Sequence, residues 1–238
     1  MTIKAIVFDM DDTLYEERQY VISGFKAVDQ YVIEQFGVTG FFESALKLFH
    51  SGIREFIFNK VLDQLGVKYE DSTIKILINC YRTHIPYIHL AEDAKWVLEH
   101  LSSEVKLALI SDGYLNAQQQ KVHALKLADR FEVIVLSDEY GRENWKPSPL
   151  VYEEVSRKLQ IDHNQCMYVG DNAKKDFVTA KQLGWTTVHI QRGNGEYANT
   201  NVTPEYEAHY RIDSLRKLPD LYACKHMFIK DGESVHVS

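Results

Sequence analysis

The chain has 238 residues, enough for one full core or for a core plus a smaller domain. Hydrophobic residues make up 45% and charged residues 26%, an ordinary globular balance, and the net charge is -7. That charge speaks against non-specific binding to nucleic acid or to an anionic membrane surface, and it requires an anionic substrate to be met by placed Lys and Arg or by a metal.

The three cysteines, Cys80, Cys166 and Cys224, show no CxxC spacing and read as reduced thiols. The N-terminus begins on a strand-like run rather than on the basic-then-apolar layout of a signal peptide, and no apolar run is long enough to span a bilayer. The expectation is a cytoplasmic protein without a membrane partner, either a monomer or a homodimer.

Residues 3–9, "IKAIVFD", are apolar and rich in β-branched side chains and predict a buried strand. Three carboxylates, Asp9, Asp11 and Asp12, follow within four positions, although crowding and burying carboxylates is costly. From about residue 16 to 89 the pattern is helical. Val21, Phe25, Val28, Val32 and Phe36 recur at helix spacing before Gly37, and further helices are predicted near 41–50, 53–65 and 71–83. From about residue 90 helix and strand alternate. Helices are predicted at 91–101, 116–127, 149–159 and 173–184, and strands at 105–111, 131–137, 166–171 and 186–191. A short strand at 208–212 and a helix at 214–222 close the domain. The tail from 223 to 238 carries an Asp-Gly pair that signals either a hairpin or a partly ordered end.

Alternation of this kind predicts an α/β fold, a Rossmann-like three-layer core built on a parallel sheet, formed by residues 1–15 and 90–222. The helical block at 16–89 interrupts it as an inserted domain. Ligands in open α/β sheets bind at the C-terminal ends of the strands. There the sequence delivers Asp9 and Asp11, then Ser111 and Asp112, then Lys146 shortly after the strand ending at Ser137, and finally Asp171 and Asp176.

The four stations "DMDDT", "LISDG", "WKPSP" and "VGDNAKKD" resemble, in order and in strand position, the motifs of the haloacid dehalogenase superfamily, and the helical insertion resembles its C1-type cap. The resemblance implies Asp9 as nucleophile, forming an aspartyl-phosphate, and Asp11 as general acid and then base. It implies Mg²⁺ held by Asp9, the Met10 carbonyl and Asp171, with Asp11 in the same metal shell. Ser111, the Asp112 amide and Lys146 are implied to bind the phosphoryl group, with Asn172 and Asp176 in support. Asp176 either orients metal waters, bonds Lys146, or favours a helix N-terminus. Asp12 reads as a turn residue on a solvated edge and Thr13 as a loop-shaping hydroxyl. Four residues separate Gly141 from Lys146, where the family often has two.

Within the resemblance, Asp at position 11 implies phosphomonoester hydrolysis or phosphoryl transfer rather than dehalogenation. The reading is a Mg²⁺-dependent phosphatase of a small phosphorylated metabolite. A phosphomutase or phosphotransferase is the alternative, and a non-catalytic binding protein is the remaining one. Absence of GxxxxGK[ST] excludes a P-loop NTPase. Arg18, His50, Arg54, Arg82 and His84 are candidates for specificity in the cap.

Overall fold

The computed structural model describes residues 2–221 apart from Ser102, Asn194, Ala198 and Asn199. Six parallel strands form one sheet: β1 (Ala5–Phe8), β2 (Lys106–Ser111), β3 (Val133–Leu136), β4 (Cys166–Gly170), β5 (Thr186–Ile190) and β6 (Tyr210–Ile212). Their order is β3-β2-β1-β4-β5-β6. All four residues of β1 and all five of β4 are buried, as continuous apolar runs covered on both faces must be.

The order places the site. From β1 the chain steps outward to β2 and β3, then crosses back to β4 on the other side of β1. The crevice between the C-terminal ends of β1 and β4 is therefore the topological switch point, where an open α/β sheet receives its ligand. Register aligns those ends, with Phe8 opposite both Leu109 and Val169. Asp9 and Asp171 follow β1 and β4 directly.

The chain divides into two compact units. Among the described residues, one comprises 2–17, 90–115 and 125–221, and contains the sheet. Helices α5 (Glu92–His100), α7 (Pro149–Leu159) and α8 (Val178–Gln182) belong to it. Val151, Tyr152 and Val155 of α7 pack on Val7, Ala108, Ile110, Val135 and Tyr168.

The other unit comprises Arg18–His89 together with Asn116–Ala124. It contains nearly all of α1 (Glu17–Phe36), with α2 (Phe41–His50), α3 (Ile57–Gln64) and α4 (Asp71–Thr83). Phe25, Val28 and Val32 of the α1 stripe meet Phe41, Ala45, Val61, Leu62 and Leu77 in a core of their own. Gly24 permits the α1–α4 approach, since a Cβ there would lie 2.4 Å from the Tyr81 ring. Most of α6 (Leu115–Ala124), which the sequence pattern assigns to the sheet domain, groups with these helices. The buried Lys121 of α6 lies 4.4 Å from the Tyr20 ring centroid.

Several predicted helices are shorter than expected, among them 53–65, which is helical only over α3. The span 173–184 is helical only over α8, and 214–222 is a 3₁₀ stretch, Leu215–Asp220, with Pro219 inside it. Before α8 the chain turns, with the N–H groups of Lys175 and Asp176 both donating to the Asn172 carbonyl, at 3.1 and 3.0 Å. Asp176 therefore precedes the helix rather than occupying its first turn. The hairpin signal of the tail lies outside the described residues.

Candidate active site

The strand ends converge on Lys146. Its side chain is fully buried, and Nζ donates to Asp9 Oδ1 at 2.5 Å, Tyr168 Oη at 2.7 Å and Asp176 Oδ1 at 2.8 Å. An ammonium has three protons, and here each has an acceptor. These carboxylates hold the lysine well above its ordinary pKa against the opposing effect of burial. Asp176 spends its other oxygen on the Asn172 N–H at 2.8 Å. That return is possible because residue 170 is glycine, where a Cβ would sit 2.5 Å from Asp176 Oδ2. Asn172 Oδ1 in turn accepts from the Lys174 N–H at 3.1 Å.

Asp112 organises the long loop before Lys146. Its Oδ1 accepts from the Lys146 N–H at 3.1 Å and from Ser137 Oγ at 2.7 Å, and its Oδ2 accepts from Lys175 Nζ at 2.8 Å. Burial alone would raise this carboxyl, but Lys146 and Lys175 hold it below its usual range. The extra residues after Gly141 are absorbed by a 3₁₀ turn, Arg142–Asn144, which follows another at Ser137–Tyr140, with Gly141 between them at φ 89°. The loop is longer than the family pattern, yet Asp112 fixes where the lysine leaves it. Ser111 is 1% exposed, and its Oγ has no hydrogen-bond partner among the described residues. A buried hydroxyl without a partner is costly, and this one could donate to a ligand.

The first loop departs from the sequence reading at Asp12 and at Thr13. Asp12 is not on a solvated edge. It is 7% exposed with φ 50°, and its carboxylate accepts from the Glu17 N–H at 2.9 Å and the Glu196 N–H at 3.1 Å. It thus braces the start of α1 against the segment after β5. The Thr13 hydroxyl does not shape the loop by hydrogen bonding, because its Oγ1 is buried with no partner among the described residues. The Thr13 carbonyl does that work instead, accepting from Arg192 Nη2 at 2.7 Å while the same guanidinium grips Asp93 Oδ1 at 2.9 Å. Asp11 is half-buried, and its carboxylate accepts from the Tyr15 hydroxyl.

The donor set suits a hard divalent cation. Asp9 is raised to about 7, first by burial and then by Asp176 and Asp11, against the lowering effect of Lys146 and Lys175. Asp171 is pushed well above the carboxylate range by burial and by Asp9, Asp176 and Asp12. Buried carboxylates raised by neighbouring carboxylates are short of positive charge, which a cation would supply. Among the described residues no three His, Cys, Asp or Glu side chains form a metal-holding group. Mg²⁺ prefers oxygen donors, and the Asp9 and Asp171 carboxylates are of that kind. The Met10 carbonyl accepts from the Leu14 N–H at 2.9 Å and the Thr13 N–H at 3.3 Å. Two backbone donors therefore already share its two lone pairs, the Thr13 bond being the weaker.

Sequence reasoning missed Tyr168 and Lys175, and it placed Ser137 at a strand end without giving it a role. Tyr168 was detectable in principle, since a tyrosine in an otherwise apolar buried strand needs a partner for its hydroxyl. Lys175 carried no signal distinguishing it from Lys174.

In the helical unit the candidate residues are held by their own neighbours. Arg18 Nη2 lies 3.0 Å from His50 Nε2. Arg54 stacks 4.1 Å from the Phe49 ring centroid and donates to the Phe49 carbonyl at 2.7 Å. His84 Nδ1 lies 2.7 Å from the Tyr81 carbonyl and its Nε2 lies 3.1 Å from Ser23 Oγ, with burial lowering its pKa. Arg82 is half-buried in the last turn of α4.

The family model of the haloacid dehalogenase-like hydrolases matches residues 6–190. The chain belongs to this family, and it is an enzyme of the hydrolase class. A glyceraldehyde 3-phosphate phosphatase of Methanopyrus kandleri is 29% identical over 231 residues, covering 92% of this chain and 97% of the relative. An N-acylneuraminate-9-phosphatase of Rattus norvegicus is 29% identical over 152 residues, 62% of this chain and 59% of its own. Among solved structures, the magnesium-bound HAD-hydrolase YfnB of Bacillus subtilis superposes with a TM-score of 0.66 at 16% identity, covering 92% of this chain and 98% of that one. The superposition shows the shared α/β fold. No helix among the described residues is long and apolar enough to cross a membrane.

Proposed function

We propose that this haloacid dehalogenase-like hydrolase is a Mg²⁺-dependent phosphatase that cleaves a small phosphorylated metabolite through an aspartyl-phosphate on Asp9. The observation that carries the reading is the buried Asp9–Lys146 pair, 2.5 Å apart, beside the unpartnered Ser111 hydroxyl at the end of the adjacent strand. A carboxylate, a cation and a free donor at one switch point can receive a phosphoryl group. The named phosphatase relatives support a small phosphorylated substrate.

An Asp9 oxygen attacks phosphorus in line and the ester bond to the leaving oxygen breaks. Asp11 gives that oxygen its proton, because an alkoxide is a poor leaving group. Asp11 then takes a proton from the water that attacks the aspartyl-phosphate, releasing inorganic phosphate and restoring Asp9. Lys146 and the Ser111 hydroxyl hold phosphoryl oxygens throughout. Mg²⁺, held by Asp9, Asp171 and the Met10 carbonyl, would neutralise charge on the phosphoryl group. The helical unit serves as the cap that selects the substrate, with Arg18, His50, Arg54, Arg82 and His84 as candidate selectors.

A screen of phosphate release over a panel of phosphorylated metabolites, with and without Mg²⁺, tests the proposal. Glyceraldehyde 3-phosphate and N-acylneuraminate 9-phosphate belong in that panel. Mg²⁺-dependent release from at least one member is expected. No release from any member or from p-nitrophenyl phosphate would overturn the reading. Mg²⁺ is also expected to raise the melting temperature of the parent protein and not that of Asp171→Asn.

A further inference from the structure

We infer that Tyr168 is a positioning residue for phosphoryl transfer, its buried hydroxyl being the neutral acceptor that keeps the Lys146 ammonium in place when Asp9 gives up its hydrogen bond. The inference rests on the phosphatase reading of the same site.

The three acceptors around Nζ are not equivalent. Two are carboxylates, on Asp9 and Asp176, and the third is the Tyr168 phenol at 2.7 Å. A phosphoryl oxygen arriving beside Asp9 needs a proton from this lysine, whose three are all in use. Asp9 is the acceptor that can yield. Once its oxygen is bonded to phosphorus, its negative charge is gone and its hold on Nζ weakens. Asp176 and Tyr168 then hold the remaining two protons, and their positions decide where the third points.

The phenol is built for a fixed position. Tyr168 is fully buried on β4, and its ring centroid lies 5.4 Å from that of Tyr152, whose ring lies 5.6 Å from that of Trp185. The Tyr152 hydroxyl donates to the Asp176 carbonyl at 3.0 Å, so the same aromatic pair also holds the backbone of the second remaining acceptor. Tyr168 and the Asp176 carboxylate both lie within 3.0 Å of where a Cβ on Gly170 would stand, and the missing side chain makes room for both. Neutrality matters as well. A third carboxylate would cancel the positive charge that the phosphoryl group requires, whereas a phenol fills the donor site and leaves that charge in place.

Tyr168→Phe keeps the ring and removes the oxygen. It is compared with Lys146→Met and with the double variant, each saturated with Mg²⁺. The measurements are kcat/KM on p-nitrophenyl phosphate, the inhibition constant of orthovanadate and the melting temperature. Tyr168→Phe is expected to lower kcat/KM about tenfold and weaken vanadate about tenfold, while adding nothing further in the Lys146→Met background. Parent-like constants in Tyr168→Phe, or a full additional loss in the double variant, would overturn the inference and leave a core-packing role. Unchanged vanadate inhibition in Lys146→Met would overturn the phosphatase reading beneath it. Should Tyr168→Phe fail to fold, 3-fluorotyrosine at position 168 keeps the shape and weakens the oxygen as an acceptor. A smaller loss in the same two constants is then expected, and no loss would overturn the inference.

Discussion

At the strand ends Lys146 is fully buried, and its bonds reach residues 9, 168 and 176. In the helical unit Arg18 and Arg54 are exposed, and their bonds go to His50, Phe49 and Ile53. The first arrangement spans most of the chain and has few alternatives, because every buried charge must find a partner and each partner is itself held. The second is solvated, so other residues could replace it at small cost. Chemistry that stays constant can be written into the first kind of region. Selection among substrates can drift in the second.

Substitutions can break or sharpen that contrast. The largest expected effect is at Asp9. Asp9→Asn is expected to lower kcat by at least about 1,000-fold while the fold is kept, as followed by circular dichroism. Substantial residual turnover would remove Asp9 as nucleophile. Next is Asp11→Asn, expected to cost about 100-fold on alkyl phosphates and much less on p-nitrophenyl phosphate, whose leaving group needs little protonation. Equal losses on both would end the general-acid assignment.

A stability effect follows at Asp93, which sits away from the converging strand ends but braces the first loop. Its carboxylate accepts from Arg192, from the Leu215 N–H at 2.8 Å and from Ser214 Oγ at 3.2 Å. Burial alone would raise its pKa, but these bonds hold it below the ordinary value. A group depressed in the folded state contributes stability above its unfolded value of about 3.9, and the contribution is lost as pH falls through the folded value. Asp93→Asn is therefore expected to cost about 2 kcal/mol at pH 7. The difference between parent and variant narrows below about pH 4. A pH-independent difference in denaturant midpoints would contradict the ionic bracing.

The smallest effect belongs to the helical unit. Arg54→Ala is expected to change stability by no more than about 0.5 kcal/mol, and to alter the ranking of substrates in a metabolite panel. An unaltered ranking would take Arg54 out of the specificity set. If its loss on p-nitrophenyl phosphate equalled that of Asp9→Asn, the contrast between the two regions would itself fail.

Much of the core was legible before any coordinates. The runs at 3–9, 105–111 and 166–171 read as buried strands because a parallel sheet needs apolar residues on both faces, and the polar residue closing each run marked the ligand edge. The helices at 71–83 and 149–159 were readable within a residue, the second opening on Pro149, whose fixed φ suits a first helical position. The span 173–184 misled because its composition is helical while Lys146 and the Asn172 N–H draw Asp176 into the core. Asp12 misled because a carboxylate in a turn is usually solvated, whereas here two backbone N–H groups compensate its burial.

The sequence by itself determined the alternation of strands and helices, the helical insertion, and the order in which Asp9, Ser111, Lys146 and Asp171 reach the sheet edge. These follow from local periodicity and from residue types at fixed offsets. Only the tertiary structure decided that Tyr168 completes the lysine's acceptors, that Asp112 anchors the long loop, and that α6 packs with the helical unit. Those outcomes depend on which buried donors and acceptors meet across long stretches of chain, and no local pattern encodes that.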